Sequence, residues 1–142
     1  MPASPPTADR TRRARTRRVQ PRTKSGLGSL GERIAARHLA DAGYEILDRN
    51  WRVGRLEIDL VVRDGDTVAF VEVKTRRSGV QAPEEALSRA QRGRIRRAAG
   101  AWLGRHAGAA TEARFDLVAV EVDRRGTCRV QHIPEAFYGD DA

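Results

Sequence analysis

Cysteine, histidine and aromatic residues are scarce in this 142-residue chain, and each scarcity closes a route. The single cysteine, Cys128, leaves no disulfide framework and no cysteine zinc site. His38, His106 and His132 stand far apart, without metal-ligand spacing. With two Trp, two Tyr and three Phe, a base-stacking platform is not expected, so Trp51 and Trp102 are assigned to the core. No run approaches the roughly 18 apolar residues of a membrane span. The basic N-terminus lacks the apolar segment of a secretory signal, and its prolines and charges interrupt the amphipathic helix of a transit peptide. The expectation is a cytoplasmic protein that does not contact membranes. Its length allows one domain and a tail.

Charge is abundant but uneven. Residues 1–25 hold eight basic side chains against Asp9 alone, whereas the rest of the chain holds 19 basic and 18 acidic ones. The division expected is a disordered basic tail over 1–25 and a folded domain over 26–142, because the tail has too few apolar residues to offset its ordering entropy. Such an arm can pair with phosphates and release counterions. A solubilising extension, or a start placed too far upstream, accounts for it equally well.

Periodicity places a first helix at about 29–42, where Leu30, Ile34, Ala35, Leu39 and Ala42 recur at helical spacing. Ser29 and Glu32 form a capping-box pattern, and Gly43 sits where a helix C-cap belongs. A strand is expected over Tyr44–Arg52. Another spans Leu56–Arg63, alternating Ile58, Leu60 and Val62 with Glu57, Asp59 and Val61. Asp64-Gly65 reads as the two-residue turn before a return strand, Thr67–Thr75. A second helix is expected from Pro83 to about Arg105, with Glu84 and Glu85 in its first turn and Leu87, Ala90, Ile95, Ala98, Ala99 and Trp102 facing inward. Strands at 113–122 and 128–133 follow, then a helical turn over 134–138. The class is α/β, with a mixed central sheet flanked by helices in the order helix, three strands, helix, strand, and a further strand.

The hairpin carries the candidate chemistry. Glu72 and Lys74 lie two apart on the return strand and share a face. If Asp64-Gly65 closes the turn, Asp59 opposes Phe70 and lies on that same face, one diagonal step from Glu72. Two carboxylates so placed repel unless a cation lies between them. Mg²⁺ is bound by one or two carboxylates plus water and phosphate oxygens. It can acidify a bound water and neutralise charge developing on a phosphodiester. Lys74 can orient the attacking water or stabilise the phosphate. The bland reading of the same pattern is a wet strand face on which Lys74 offsets two acids.

The run Glu57-Ile58-Asp59-Leu60, followed by Phe70-Val71-Glu72-Val73-Lys74-Thr75-Arg76, resembles the PD-(D/E)XK nuclease signature. More narrowly, the chain is similar to the YraN-like family of small bacterial endonuclease-like proteins over most of residues 26–138. Gly31-Glu32, Gly43, Asn50, Arg114-Phe115-Asp116 and Ile133 to Ala136-Phe137 belong to that resemblance. It implies a restriction-endonuclease-like core, with Asp59, Glu72 and Lys74 catalytic, Glu32, Asp59 and Glu72 as ligands of Mg²⁺ or Mn²⁺, and DNA as substrate. Glu32 is open to both the metal role and the capping-box role. Leu56 departs from the glycine common before Glu-Ile-Asp, and Gln91 stands where a helix-two lysine is common, a position near the phosphate in related nucleases. Arg76 and Arg77 are expected to contact DNA. Arg89, Arg92, Arg94, Arg96 and Arg97 fit either DNA contact or a solvated helix face. A homodimer would suit cleavage of two strands. The competing function is a non-catalytic nucleic-acid-binding module that retains the fold.

Overall fold

A computed structural model describes residues 26–79, 87–109 and 112–137. The basic tail over 1–25, the expected helix start from Pro83 through Glu84 and Glu85, and Tyr138 lie outside the described residues.

The first helix, α1, is Gly26–Asp41 and begins a turn before the expected Ser29. Leu27, Leu30 and Ile34 all pack on one apolar layer, so burial extends the helix upstream despite the glycines at 26 and 28. Ser29 is therefore inside the helix and is not its N-cap; its Oγ accepts a hydrogen bond from the Arg33 guanidinium at 3.4 Å. The predicted capping box is overturned, and Glu32 is a buried mid-helix residue. At the other end Gly43, with φ 103°, stops the helix as expected. The Gly43 N–H donates to Ala40 and the Tyr44 N–H to Leu39, the pair of bonds that satisfies the last carbonyls in a Schellman turn.

Among the described residues five strands follow: β1 (Glu45–Val53), β2 (Leu56–Asp64), β3 (Thr67–Arg77), β4 (Glu112–Val122) and β5 (Cys128–Phe137). They form one sheet in sequence order. β1, β2 and β3 are an antiparallel meander, β3 and β4 are parallel, and β5 returns antiparallel to β4. Parallel neighbours need a long crossover. Here it contains α2, Arg89–Arg105. Ser88 caps this helix, which therefore starts at Arg89 and not at the expected Pro83, with no acidic residue in its first turn: the Ser88 Oγ accepts from the Gln91 N–H, and the Gln91 side chain accepts from the Ser88 N–H. Ile95, Ala98, Ala99 and Trp102 are buried as expected, but Ala90, in the first turn, is exposed.

Among the described residues, each face of the sheet is covered by one helix. Ala35, Ala36 and Leu39 of α1 pack on Leu60, Val62, Val71, Val73, Val118 and Val120. Ile95, Ala98 and Trp102 of α2 pack on Val61, Val68, Phe70 and Leu117. The expected terminal helical turn is instead the end of β5, because Phe137 is buried against Phe115 with ring centroids 5.0 Å apart. The β2–β3 turn also differs. Asp64 pairs with Thr67, so the loop residues are Gly65 and Asp66. Both loops have two residues, so the faces survive while the pairing slides by two residues along β3. The resulting mixed sheet, flanked by helices in the expected order, is a restriction-endonuclease-like core.

Candidate active site

The site lies where β2 leaves β3. The ladder between them runs from Asp64 and Thr67 to Leu60 and Val71. One more step would set Asp59 directly opposite Glu72. Instead, the Asp59 carboxylate accepts the Val73 backbone N–H at 2.8 Å. A side chain thus takes a donor that a continued ladder would have given to backbone. Asp59 is only 4 % exposed, so that N–H needs its acceptor there.

The reason for the departure is in β1 and β2. Ile58 packs in the α2 layer, whereas Leu60, two residues on, packs in the α1 layer. Residues two apart on a regular strand share a face. β2 therefore inverts at Asp59, which overturns the uniform alternation expected for Ile58, Leu60 and Val62. Across from Asp59, between the paired positions Arg49–Leu60 and Trp51–Ile58, stands Asn50, with a left-handed φ of 49°. Asn is among the few non-glycine residues that tolerate this conformation. Beyond it Trp51 turns into the α2 layer. The coupled inversion aims Asp59 at the gap between strands instead of at a regular face.

β3 itself stays regular, in unbroken register with β4 from Thr67 to Arg77. Phe70 packs under α2, while Val71 and Val73 pack under α1. Alternation therefore puts Glu72 and Lys74 on the α2 side, both half-buried and flanking Val73. The structure brings Asp59 to this Glu72–Lys74 segment, as a neighbour of its backbone and not as the predicted diagonal partner of Glu72.

Glu32 sits on α1, the helix that covers the other face, and is 8 % exposed. Its neighbour Gly31 touches β3 so closely that a Cβ there would fall 1.8 Å from Thr75 Oγ1. The glycine is what lets this turn of α1 reach the strand just beyond Lys74. Arg76 is half-buried, two residues beyond Lys74, and Arg77 is exposed at the strand end. Gln91 uses its carbonyl oxygen to cap α2.

Among the described residues, no three His, Cys, Asp or Glu side chains gather into a group that could hold a metal. An all-protein cage is thus not formed. A Mg²⁺-type ion keeps several waters and takes only one or two carboxylates, and Asp59 and Glu72 are donors of that kind. The Val73 N–H uses one of the roughly four acceptor positions of the Asp59 carboxylate.

A second polar cluster escaped the sequence reading. Asp116, fully buried on β4, accepts from Arg114 Nε at 2.9 Å and Nη2 at 3.0 Å, from the Glu135 N–H at 3.0 Å, and lies 2.8 Å from His132 Nε2. Arg114 also donates to the Tyr44 hydroxyl at 2.9 Å. Burial pushes the Asp116 carboxyl up, but the bonds from His132, Arg114 and Glu135 outweigh it and hold the group below its ordinary range. The bond to Asp116 raises the Arg114 pKa. This cluster braces an irregular stretch of β5: Phe115 pairs with Phe137 and Leu117 with Ile133, and Glu135 has φ 54°. The available signal was Asp116 itself, a carboxylate inside the apolar run Phe115–Val120.

Comparison with known proteins agrees with this architecture. The model described as "Uncharacterised protein family UPF0102" matches residues 31–120, which span α1 through most of β4. A UPF0102 protein of Frankia casuarinae is 49% identical over 118 residues, covering 82% of this chain and 99% of its own length. One from Beutenbergia cavernae is 48% identical over 113 residues, or 79% and 96% of the two chains. A third, from Anaeromyxobacter dehalogenans, is 47% identical over 118 residues, or 82% and 87%. The chain belongs to the UPF0102 family, the YraN-like one.

Proposed function

We propose that the protein is a Mg²⁺- or Mn²⁺-dependent endonuclease that hydrolyses phosphodiester bonds in DNA, branched or damaged DNA included. The observation that carries this reading is Asp59: a buried carboxylate held by the Val73 N–H at the parting of two strands, beside the segment that bears Glu72 and Lys74. A fold needing only stability would close the ladder with backbone bonds and place an apolar residue there. Burying a carboxylate costs free energy unless its acceptors are satisfied, and at Asp59 the Val73 N–H is one such partner.

Asp59 and Glu72 would hold the ion, with Glu32 as the candidate third carboxylate. When bound, such an ion supplies an acidified water and positive charge against the phosphate. Hydrolysis adds water to phosphorus and breaks one P–O ester bond, leaving a phosphomonoester and a hydroxyl. Lys74, half-buried on the side of Glu72, is suited to hold a non-bridging oxygen or to orient the water. Arg76 and Arg77 continue the strand and would grip flanking phosphates.

The test is cleavage of linear, circular and branched DNA with Mg²⁺, Mn²⁺ or chelator, using wild type, Asp59→Asn and Glu72→Gln. Metal-dependent cutting by wild type alone is expected. Identical background cleavage by all three proteins would refute the activity. The competing reading, a binding module without catalysis, rests on the arginines that follow Lys74, Arg76 and Arg77, and not on the carboxylates. It predicts salt-dependent DNA binding with no metal uptake at Asp59 and Glu72.

A further inference from the structure

A groove of about 460 Å³ opens at the C-terminal ends of β3 and β4, lined by Arg77, Ser78, Val122, Asp123, Arg124 and Arg125. Three of the six residues are arginines. The Ser78 N–H donates to the Val122 carbonyl at 3.0 Å, so the two strands stay tied at this end. The third wall is the β4–β5 turn, and its shape is set. Asp123 Oδ1 accepts the N–H groups of Arg125 and Thr127, both at 2.9 Å. The Asp123 N–H donates to Thr127 and the Gly126 N–H to Asp123. The one acidic residue of the groove thus serves as an internal brace, and the turn holds Arg124 and Arg125 outward as exposed side chains.

We infer that this groove, with the β4–β5 turn as its outer wall, is a second contact for the phosphate backbone of duplex DNA, separate from Asp59, Glu72 and Lys74. Only Val122 in the lining is apolar, whereas a protein partner needs apolar or aromatic anchors at the centre of its interface. Nucleic-acid interfaces are polar and strongly positive. Position supports the same occupant. Glu72 and Arg77 are five residues apart on one regular strand, about 17 Å at roughly 3.3 Å per residue. One helical turn of DNA is about 34 Å, so a duplex lying along β3 from Glu72 extends past the groove. The inference rests on DNA as partner, and it holds whether or not the chain cuts.

The full-length protein, its Arg124→Ala/Arg125→Ala variant and its Arg124→Lys/Arg125→Lys variant are titrated with fluorescent duplex DNA between 50 and 200 mM salt. Removing two phosphate contacts lowers the slope of log affinity against log salt by about 1.8. The alanine variant should bind less tightly at 50 mM, with the gap narrowing about tenfold by 200 mM, while the lysine variant keeps the wild-type slope. A photocrosslinker on Cys128, the only cysteine and an exposed one beside the turn, should capture the duplex in the wild type. Poly-glutamate should not displace the DNA at equal ionic strength. Equal slopes for wild type and alanine variant, no crosslink, or displacement by poly-glutamate would each overturn the groove. Cleavage on the same samples separates the two ideas. An unchanged slope with cutting that depends on Asp59 sinks the groove alone, and a lowered slope with no cutting sinks the nuclease alone.

Discussion

Replacing Gly31 with alanine puts two physical effects in opposition at a place where the structure decides the sign. In an exposed helix the change is favourable by about 1 kcal/mol, since alanine restricts the unfolded chain and suits the helix. Here the new Cβ would lie 1.8 Å from Thr75 Oγ1, 2.8 Å from Thr75 Cβ and 2.9 Å from Thr75 Cγ2. Rotation of Thr75 can remove the first contact. It cannot remove the second, because Cβ is fixed to the β3 backbone. The helix must therefore lift from the strand by roughly half an ångström or more, in a region where interiors are packed as densely as organic crystals. Overpacking of this kind costs about 1–3 kcal/mol, which exceeds the propensity gain at most values. The expected net destabilisation is up to about 2 kcal/mol and centred near 1, with a fall in melting temperature of roughly 3–6 °C per kcal/mol for a domain of this size.

Urea and thermal unfolding of Gly31→Ala, Thr75→Ala and the double variant give the assay. Thr75→Ala deletes Oγ1 and Cγ2, so the double variant should be less destabilised than the sum of the singles by at least about 0.5 kcal/mol. Equal or higher stability of Gly31→Ala, or strict additivity, would refute the close approach. The same lift moves the turn of α1 that carries Glu32. Metal affinity should therefore fall in Gly31→Ala even though no ligand has changed.

Asp59→Asn keeps an acceptor for the Val73 N–H and should stay near wild-type stability while losing metal uptake. Asp59→Ala strands a buried donor and should cost about 1–3 kcal/mol more, read by urea unfolding. Because Asp116 is held below the ordinary carboxyl range, its ionised form stabilises the fold above pH about 4, and that contribution is lost as pH falls through its lower folded value. A melting-temperature profile from pH 6 to pH 2 should therefore drop steeply in wild type and less steeply in Asp116→Asn, which starts from lower stability. Asp116→Ala leaves Arg114 partly buried without its carboxylate and should cost about 3–5 kcal/mol by urea unfolding. Ser88→Ala removes one half of the α2 cap and should cost about 1 kcal/mol by the same measurement.

Patterns spanning few residues were legible. The inward stripe of α2, the Schellman glycine at 43, the two-residue β2–β3 loop and the shared face of Glu72 and Lys74 depend on periods and turn chemistry that local sequence carries. What was hidden depends on contacts between distant segments. α1 starts at Gly26 because Leu27 finds an apolar layer built by β2, β3 and β4. Phe137 ends a strand because Phe115 and the α2 layer receive it. Asp116 could be seen as anomalous, but besides the nearby Arg114 its partners come from positions 132 and 135, and Tyr44 joins through Arg114, which no local spacing relates. The register of the hairpin was wrong by two residues and its parity right. A turn of fixed even length constrains the faces strictly and leaves open which residues occupy it.

The inversion at Asp59 bears most directly on chemistry. Glu72 and Lys74 belong to the α2 side of the sheet, and Glu32 rides on the helix that covers the other side. In an unbroken sheet, carboxylates on opposite faces are separated by a continuous ladder of peptide bonds and cannot share an ion. Here the ladder ends at Leu60 and Val71, and the carboxylate of Asp59 occupies the opening. An ion held by Asp59 and Glu72 can be reached from the α1 layer only through that opening. On the proposed function Asn50 would position Asp59 without touching substrate, since its left-handed backbone lies across from the inversion. Asn50→Gly keeps access to that conformation and should preserve metal affinity. Asn50→Val disfavours it by about 1–2 kcal/mol and should weaken metal binding more than it weakens the fold. Isothermal titration with Mn²⁺ beside urea unfolding separates the two, and equal metal affinity in the valine variant would show that the inversion does not serve the site.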